Sequence, residues 1–178
     1  MQGSVAARGL FSSALRSVHY AAMILVPALL ASCFQPDAAT VAATDYFERL
    51  RPLLHENGLL AERVLFQAAR VYNEGDKVPP LAPDWTGDVV PLAEHLHHQA
   101  SFVTAPDAYA EQHAKLVDLW GRRALVYRQI GEAVFTADLA TFTEARKKAD
   151  ELQLEEERWF DHLNAAIAPL GLMVDPYP

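Results

Sequence analysis

The chain is poor in the residues that most often carry chemistry. One cysteine, Cys33, stands in 178 residues. Neither an intramolecular disulfide framework nor a Cys-based zinc site can be built from it. Beyond Cys33 the only serine is Ser101, and no Gly-x-Ser-x-Gly elbow surrounds it. A Cys-x-x-Cys-His haem motif is missing, and so is a glycine-rich loop to cradle a phosphate. Positive charge is also short: 15 Lys and Arg face 23 Asp and Glu, a formal net charge of −8. Phosphate contact needs a basic face, so no nucleic-acid partner is expected. No stretch keeps the period-two alternation of a strand. Hydrophobic residues make up 51% of the chain and charged residues 21%, which suits one globular domain with a buried core.

The first 33 residues differ from the rest and contain no Asp or Glu. Arg8, Arg16 and His19 precede an apolar run from Tyr20 to Ala31, interrupted by Pro27. About twelve residues at 1.5 Å rise reach about 18 Å, short of a bilayer core of about 30 Å. Length and flanks fit the apolar region of a secretory signal.

The run ends in Leu30-Ala31-Ser32-Cys33. This resembles the lipobox of the bacterial lipoprotein class. The resemblance implies a signal peptide over 1–32, cleavage before Cys33, a diacylglyceryl thioether on Cys33 and acylation of the new terminus. Phe34, not Asp, follows the cysteine. In a Gram-negative cell this implies the outer membrane, facing the periplasm. The helical region that follows resembles no specific family.

Residues 33–44 read as a lipidated terminus and an Ala/Thr tether, and 45–178 as the folded domain. Phe47, Leu50, Leu54, Asn57, Ala61, Val64, Ala68 and Val71 recur at three- and four-residue steps, one face of a helix. Asp45 and Glu48 form a candidate capping box, and Pro52 predicts a kink or a later start. Residues 74–88 read as a loop, with Trp85 folded back onto the core. A shorter helix carries Val89, Leu92, Leu96, Ala100 and Val103 on one face. A third runs from about Asp107 to Ala137, with Tyr109, His113, Leu116, Trp120, Arg123, Tyr127, Ile130 and Val134 inward. The fourth starts near Thr141, capped with Glu144, and turns Phe142, Ala145, Ala149, Leu152, Glu156, Trp159, Leu163 and Ala166 inward. The expected fold is all-α: an antiparallel up-and-down bundle of about four helices.

Two groups of polar residues are candidate sites. Glu94 and His97 match the Glu-x-x-His spacing of di-metal bundles, with His95 and His98 beside them. No second such motif exists, and at 100° per residue Glu94 and His98 point away from Leu96 and the apolar stripe. A solvated face is therefore the expectation, and metal binding the weaker alternative. His113, Arg123 and Glu156 occupy apolar-face positions, a candidate polar core layer. Folding the third helix onto the fourth pairs positions whose numbers add to about 279, which sets Arg123 against Glu156 and Trp120 against Trp159. A buried ion pair that fixes register is the simpler reading, and a ligand-binding layer the sharper one. The expected function is a membrane-anchored, non-enzymatic interaction or structural module of the cell envelope, with an envelope protein as partner. The alternative is a bundle that binds metal or a small ligand. No cofactor is expected beyond the covalent lipid.

Overall fold

Among the described residues, alanine-rich and amphipathic segments wind into four helices. The computed structural model describes residues 37–71 and 85–175. Helix α1 spans Ala38–Val71. A single π-helical turn, Trp85–Val89, leads into α2, Val90–Phe102. A 3-10 turn, Asp107–Tyr109, opens α3, Ala110–Phe135. Helix α4 spans Leu139–Ile167 and ends in a 3-10 turn, Ala168–Leu170. No strand occurs among the described residues. No helix among them is long and apolar enough to cross a membrane. Cys33 and the expected signal peptide over 1–32 lie outside the described residues, as does most of the loop expected over 74–88.

Side-chain pairs give the topology. Arg49 reaches the Thr104 carbonyl, His95 lies 3.6 Å from Glu56, and Arg63 lies 3.9 Å from Asp88. Numbers rise on α1 as they fall on α2, so these helices are antiparallel. Arg128 pairs with Glu94 while His113 bonds to the Ala100 carbonyl, which makes α2 and α3 antiparallel too. Arg123 meets Glu156 and Trp159 meets Gln112 across α3 and α4, again antiparallel. Tyr46–His113 and Asn57–Arg123 rise together, so α1 and α3 run parallel. The result is an all-α, up-and-down bundle.

The core runs the length of the bundle. Tyr46, Leu50 and Leu60 of α1, Leu96 of α2, Leu116 and Trp120 of α3, and Leu163 and Ile167 of α4 are each at most 1% exposed. At roughly 25 cal/mol per Å² of apolar surface, each large side chain of this kind contributes about 1.5–3 kcal/mol. Trp85 does return to the core: it is buried, donates its indole N–H to the Tyr127 carbonyl at 2.9 Å, and packs edge-on against the Tyr127 ring. Gly131 makes room for it, since a Cβ there would sit 3.4 Å from the Trp85 ring and 3.1 Å from Thr86.

Several boundaries differ from the sequence reading. Helix α1 begins at Ala38, so 38–44 is helix and not tether, and Ala43 is fully buried. Alanine is the strongest helix former, and the Thr44 hydroxyl bonds back to the Thr40 carbonyl at 2.9 Å, which satisfies it inside the helix. Asp45 is therefore helical and caps nothing. Its carbonyl accepts from Arg49, while Glu48 pairs with Arg51 at 2.7 Å. Pro52 lies within α1 and does not start it. The cap of α4 is Asp138, whose carboxylate accepts from the Thr141 N–H at 3.0 Å. Those Thr141 contacts hold the Asp138 carboxyl below its usual range. Glu144 faces Lys148 instead, at 3.7 Å. Near the end of α4 the buried position is Ile167 and Ala166 is exposed. The tail after Gly171 folds back, and the Asn164 amide bonds both the N–H and the carbonyl of Val174.

Candidate functional site: a polar cluster across the helical seam

Three helices bring polar side chains to one point in the core. Asn57 comes from α1, Trp120 and Arg123 from α3, and Glu156 from α4. All four are at most 7% exposed. Each sits at a heptad position that otherwise carries an apolar residue, which is why helix geometry aims it inward. One Glu156 oxygen accepts the Trp120 indole N–H at 2.7 Å and the Asn57 amide at 3.2 Å. The other accepts an Arg123 N–H at 2.8 Å. A second Arg123 nitrogen donates to the Asn57 side-chain oxygen, which closes a triangle of Asn57, Arg123 and Glu156. The guanidinium also lies 5.6 Å from the centre of the Trp120 ring, within cation–π range.

The Glu156 carboxylate is buried and engaged by three donors. The cluster's evident product is geometry: buried charges are tolerated where the partner is in place and the remaining hydrogen bonds are made. One donor is left over. The Nε of Arg123 is buried and has no hydrogen-bond partner among the described residues.

His113 does not join this cluster, so the expected layer of His113, Arg123 and Glu156 is two sites and not one. Ten residues separate His113 from Arg123 on α3, about 15 Å of helix. His113 is buried among Tyr46, Tyr109 and the end of α2. Its Nε2 lies 3.1 Å from the Ala100 carbonyl, which can only accept, so Nε2 carries the proton. Nδ1 then accepts from the Tyr46 hydroxyl at 3.0 Å. Burial pushes the His113 imidazole below its ordinary value, and the Ala100 and Val103 carbonyls oppose that shift. Burial drives the Tyr46 phenol well above its usual range. Tyr109 stacks on Tyr46 with ring centres 5.9 Å apart.

The residues Glu94, His95, His97 and His98 diverge. Glu94 pairs with Arg128 of α3, and His95 faces Glu56 of α1. His97 lies against Gly121, where a Cβ would come within 3.0 Å of its Nε2. His98 packs edge-on against Phe102 with ring centres 4.8 Å apart. Among the described residues no group of three or more His, Cys, Asp or Glu side chains converges on a metal position. The two indoles of the expected Trp120–Trp159 layer take separate acceptors: Trp159 donates to the Gln112 carbonyl and Trp120 to Glu156.

On the outer face of α3 and α4 an open groove of about 320 Å³ is lined by Arg122, Leu125, Val126, Gln129, Lys148, Glu151, Leu152 and Glu155. Arg122 clamps Glu155 through two bonds of 2.8 and 3.0 Å and also holds Asp118 at 2.8 Å. The Arg122 contact keeps the Glu155 carboxyl below its usual range.

Sequence reasoning missed Asn57 and Tyr46. Asn57 was visible as the one polar residue in the α1 heptad series. Tyr46 was hidden because the series was threaded through Phe47 beside it. No family model, curated protein or solved structure matches the chain.

Proposed function

We propose that this chain is a lipid-anchored protein of the bacterial cell envelope, whose helical bundle serves as a non-enzymatic interaction or structural module. The observation that carries the reading is the sole cysteine, placed at the end of an apolar run as Leu30-Ala31-Ser32-Cys33. Small residues before the thiol admit a signal peptidase, and only a thiol can become the thioether. Acyl chains hold a protein at a bilayer with about 0.8 kcal/mol per buried CH₂. The partner is an envelope protein. With Phe34 after the cysteine, a Gram-negative cell would hold the chain at the outer membrane, facing the periplasm.

The bundle supports a module over an enzyme because its core polar groups serve one another. Glu156 spends its acceptors on Trp120, Asn57 and Arg123, and both His113 nitrogens are engaged. One observation favours a second reading, a small ligand held in the polar core: the Arg123 Nε is a buried donor without an acceptor among the described residues. The test of the anchor is mass spectrometry of protein purified from a host that processes lipoproteins. The mature chain is expected to begin at Cys33 with added acyl mass. An unacylated Cys33, or cleavage elsewhere, overturns the reading.

A further inference from the structure

We infer that the anchor-side end of the bundle is a lipid-contacting surface, seated on zwitterionic headgroups with Val41 and Met173 as its points of insertion. The inference rests on the lipid anchor proposed at Cys33.

Chain length sets the reach. Five Cα steps join Cys33 to Ala38, and a fully extended chain covers about 18 Å in that distance. A bundle acylated at Cys33 therefore keeps the start of α1 within about 18 Å of its attachment point. The starts of α1 and α3 and the finish of α4 gather at this end. Tyr109 stacks on Tyr46, Trp159 bonds to the Gln112 carbonyl, and Asn164 holds the tail through Val174.

The surface of this end is apolar and small-featured. Met173 is 82% exposed and Val41 43% exposed. Ala108 and Pro169 are exposed, and Leu170 and Leu172 are half-buried. Its charge is mostly negative: the nearest cations, Arg49 and Lys115, are engaged by the Thr104 carbonyl and by Glu111. No Lys or Arg falls within 37–48, 99–114 or 159–175, whereas Asp37, Asp107, Glu111, Asp161 and Asp175 do. Carboxylates repel an anionic headgroup and would repel the same end of a second copy. A neutral zwitterionic surface accepts apolar side chains without that cost. The tether supplies proximity, the apolar tip supplies contact, and the acidic rim selects against anionic lipid.

The test uses acylated full-length protein in phosphatidylcholine vesicles that contain a nitroxide-bearing lipid. Lipid blocks Cys33, so Met173→Cys and Phe135→Cys each provide one thiol for a fluorophore. Phe135 is 92% exposed at the opposite end of α3, about 38 Å of helix away, and serves as control. Strong quenching is expected at position 173 and little at 135, with the signal at 173 falling several-fold in phosphatidylglycerol-rich vesicles. The N-terminal mass is measured on the same sample. An unacylated terminus defeats the anchor reading. An acylated protein with position 173 as unquenched as 135 overturns the inference alone and leaves this end to a basic protein partner. Energy transfer between copies labelled at 173 also overturns it, in favour of self-association. A fluorophore on Ala108→Cys separates contact from tethering. Val41→Ser with Met173→Ser is expected to lower its quenching several-fold, and unchanged quenching would mean that the tether alone holds the end there.

Discussion

Arg123→Met removes one corner of the buried triangle and leaves the other two in place. Glu156 keeps the Trp120 and Asn57 bonds but loses its counter-charge, and the Asn57 oxygen loses its donor. Removing one partner of a buried pair costs about 3–5 kcal/mol. Two surviving donors put this variant near the low end, about 3 kcal/mol. Glu156→Leu is harsher, because Trp120 and Asn57 each lose an acceptor as well, and an orphaned buried donor costs about 1–3 kcal/mol. About 5 kcal/mol is expected. The double variant ends with no unpaired charge, so its loss falls well short of the sum, and a coupling of at least about 2 kcal/mol follows. Recovery is incomplete because the Trp120 and Asn57 donors stay orphaned. Urea unfolding of a chain starting at Asp37, which keeps every residue of the cluster, measures all three values. Single variants within about 1 kcal/mol of the parent, as for an exposed pair, would refute the argument. Strict additivity would refute it too.

Two further predictions follow from local geometry. The folded state favours neutral His113, so below about pH 6.5 the unfolded chain binds a proton that the folded chain resists. Stability supplied by this site is thus complete above that pH and is lost as pH falls toward the depressed folded value; His113→Gln should flatten the slope of unfolding free energy against pH, and an unchanged slope contradicts the assignment. The second prediction contrasts two small residues. Gly131→Ala forces a Cβ against Thr86 and the pinned Trp85, a cost of about 1–3 kcal/mol that outweighs the gain in helix propensity. Ala137 has φ of 56°, a left-handed conformation, so Ala137→Gly should stabilise by about 1 kcal/mol. Thermal melts decide both signs, and a reversal of either sinks the local explanation.

The legible part of this fold is the part governed by helical period. Every residue from Tyr109 to Ile130 that three- and four-residue spacing picks out for the third helix is buried, with Leu119, Ala124 and Val126 widening the face beyond that stripe, and Arg123 faces Glu156 as the antiparallel register expects. Ends were less legible because they depend on competition between local choices. Ala38 to Thr44 has a composition equally suited to a tether and to a helix, and burial of Ala43 in the bundle decides it. At the start of α4, Asp138 and Thr141 are both plausible caps. The one with its carboxylate on a free N–H three residues ahead wins. Tyr46 escaped notice because a helix packed from two sides buries a face wider than one heptad stripe, here including both Tyr46 and Phe47 and both Leu53 and Leu54.

What one pair of helices could not reveal is that the polar seam belongs to three. The Arg123–Glu156 pair was readable from α3 and α4 alone, because a short connection sets their register. Asn57 enters from α1, more than sixty residues earlier than Arg123 in the chain, and no short connection fixes that register. Its amide is suited to the place: the oxygen accepts from the cation and the nitrogen donates to the anion, so one neutral side chain serves both charges. Sliding α1 by one turn would move Asn57 about 5.4 Å along the bundle, strand an Arg123 donor and bring Leu53 or Leu60 against the ions. An apolar core would tolerate that slip, since one leucine layer resembles the next. The cluster does not, and it therefore locks α1 to α3 and α4 at a single level. That lock also fixes where the start of α1 stands relative to the start of α3 and the end of α4, which is the arrangement on which the apolar tip depends.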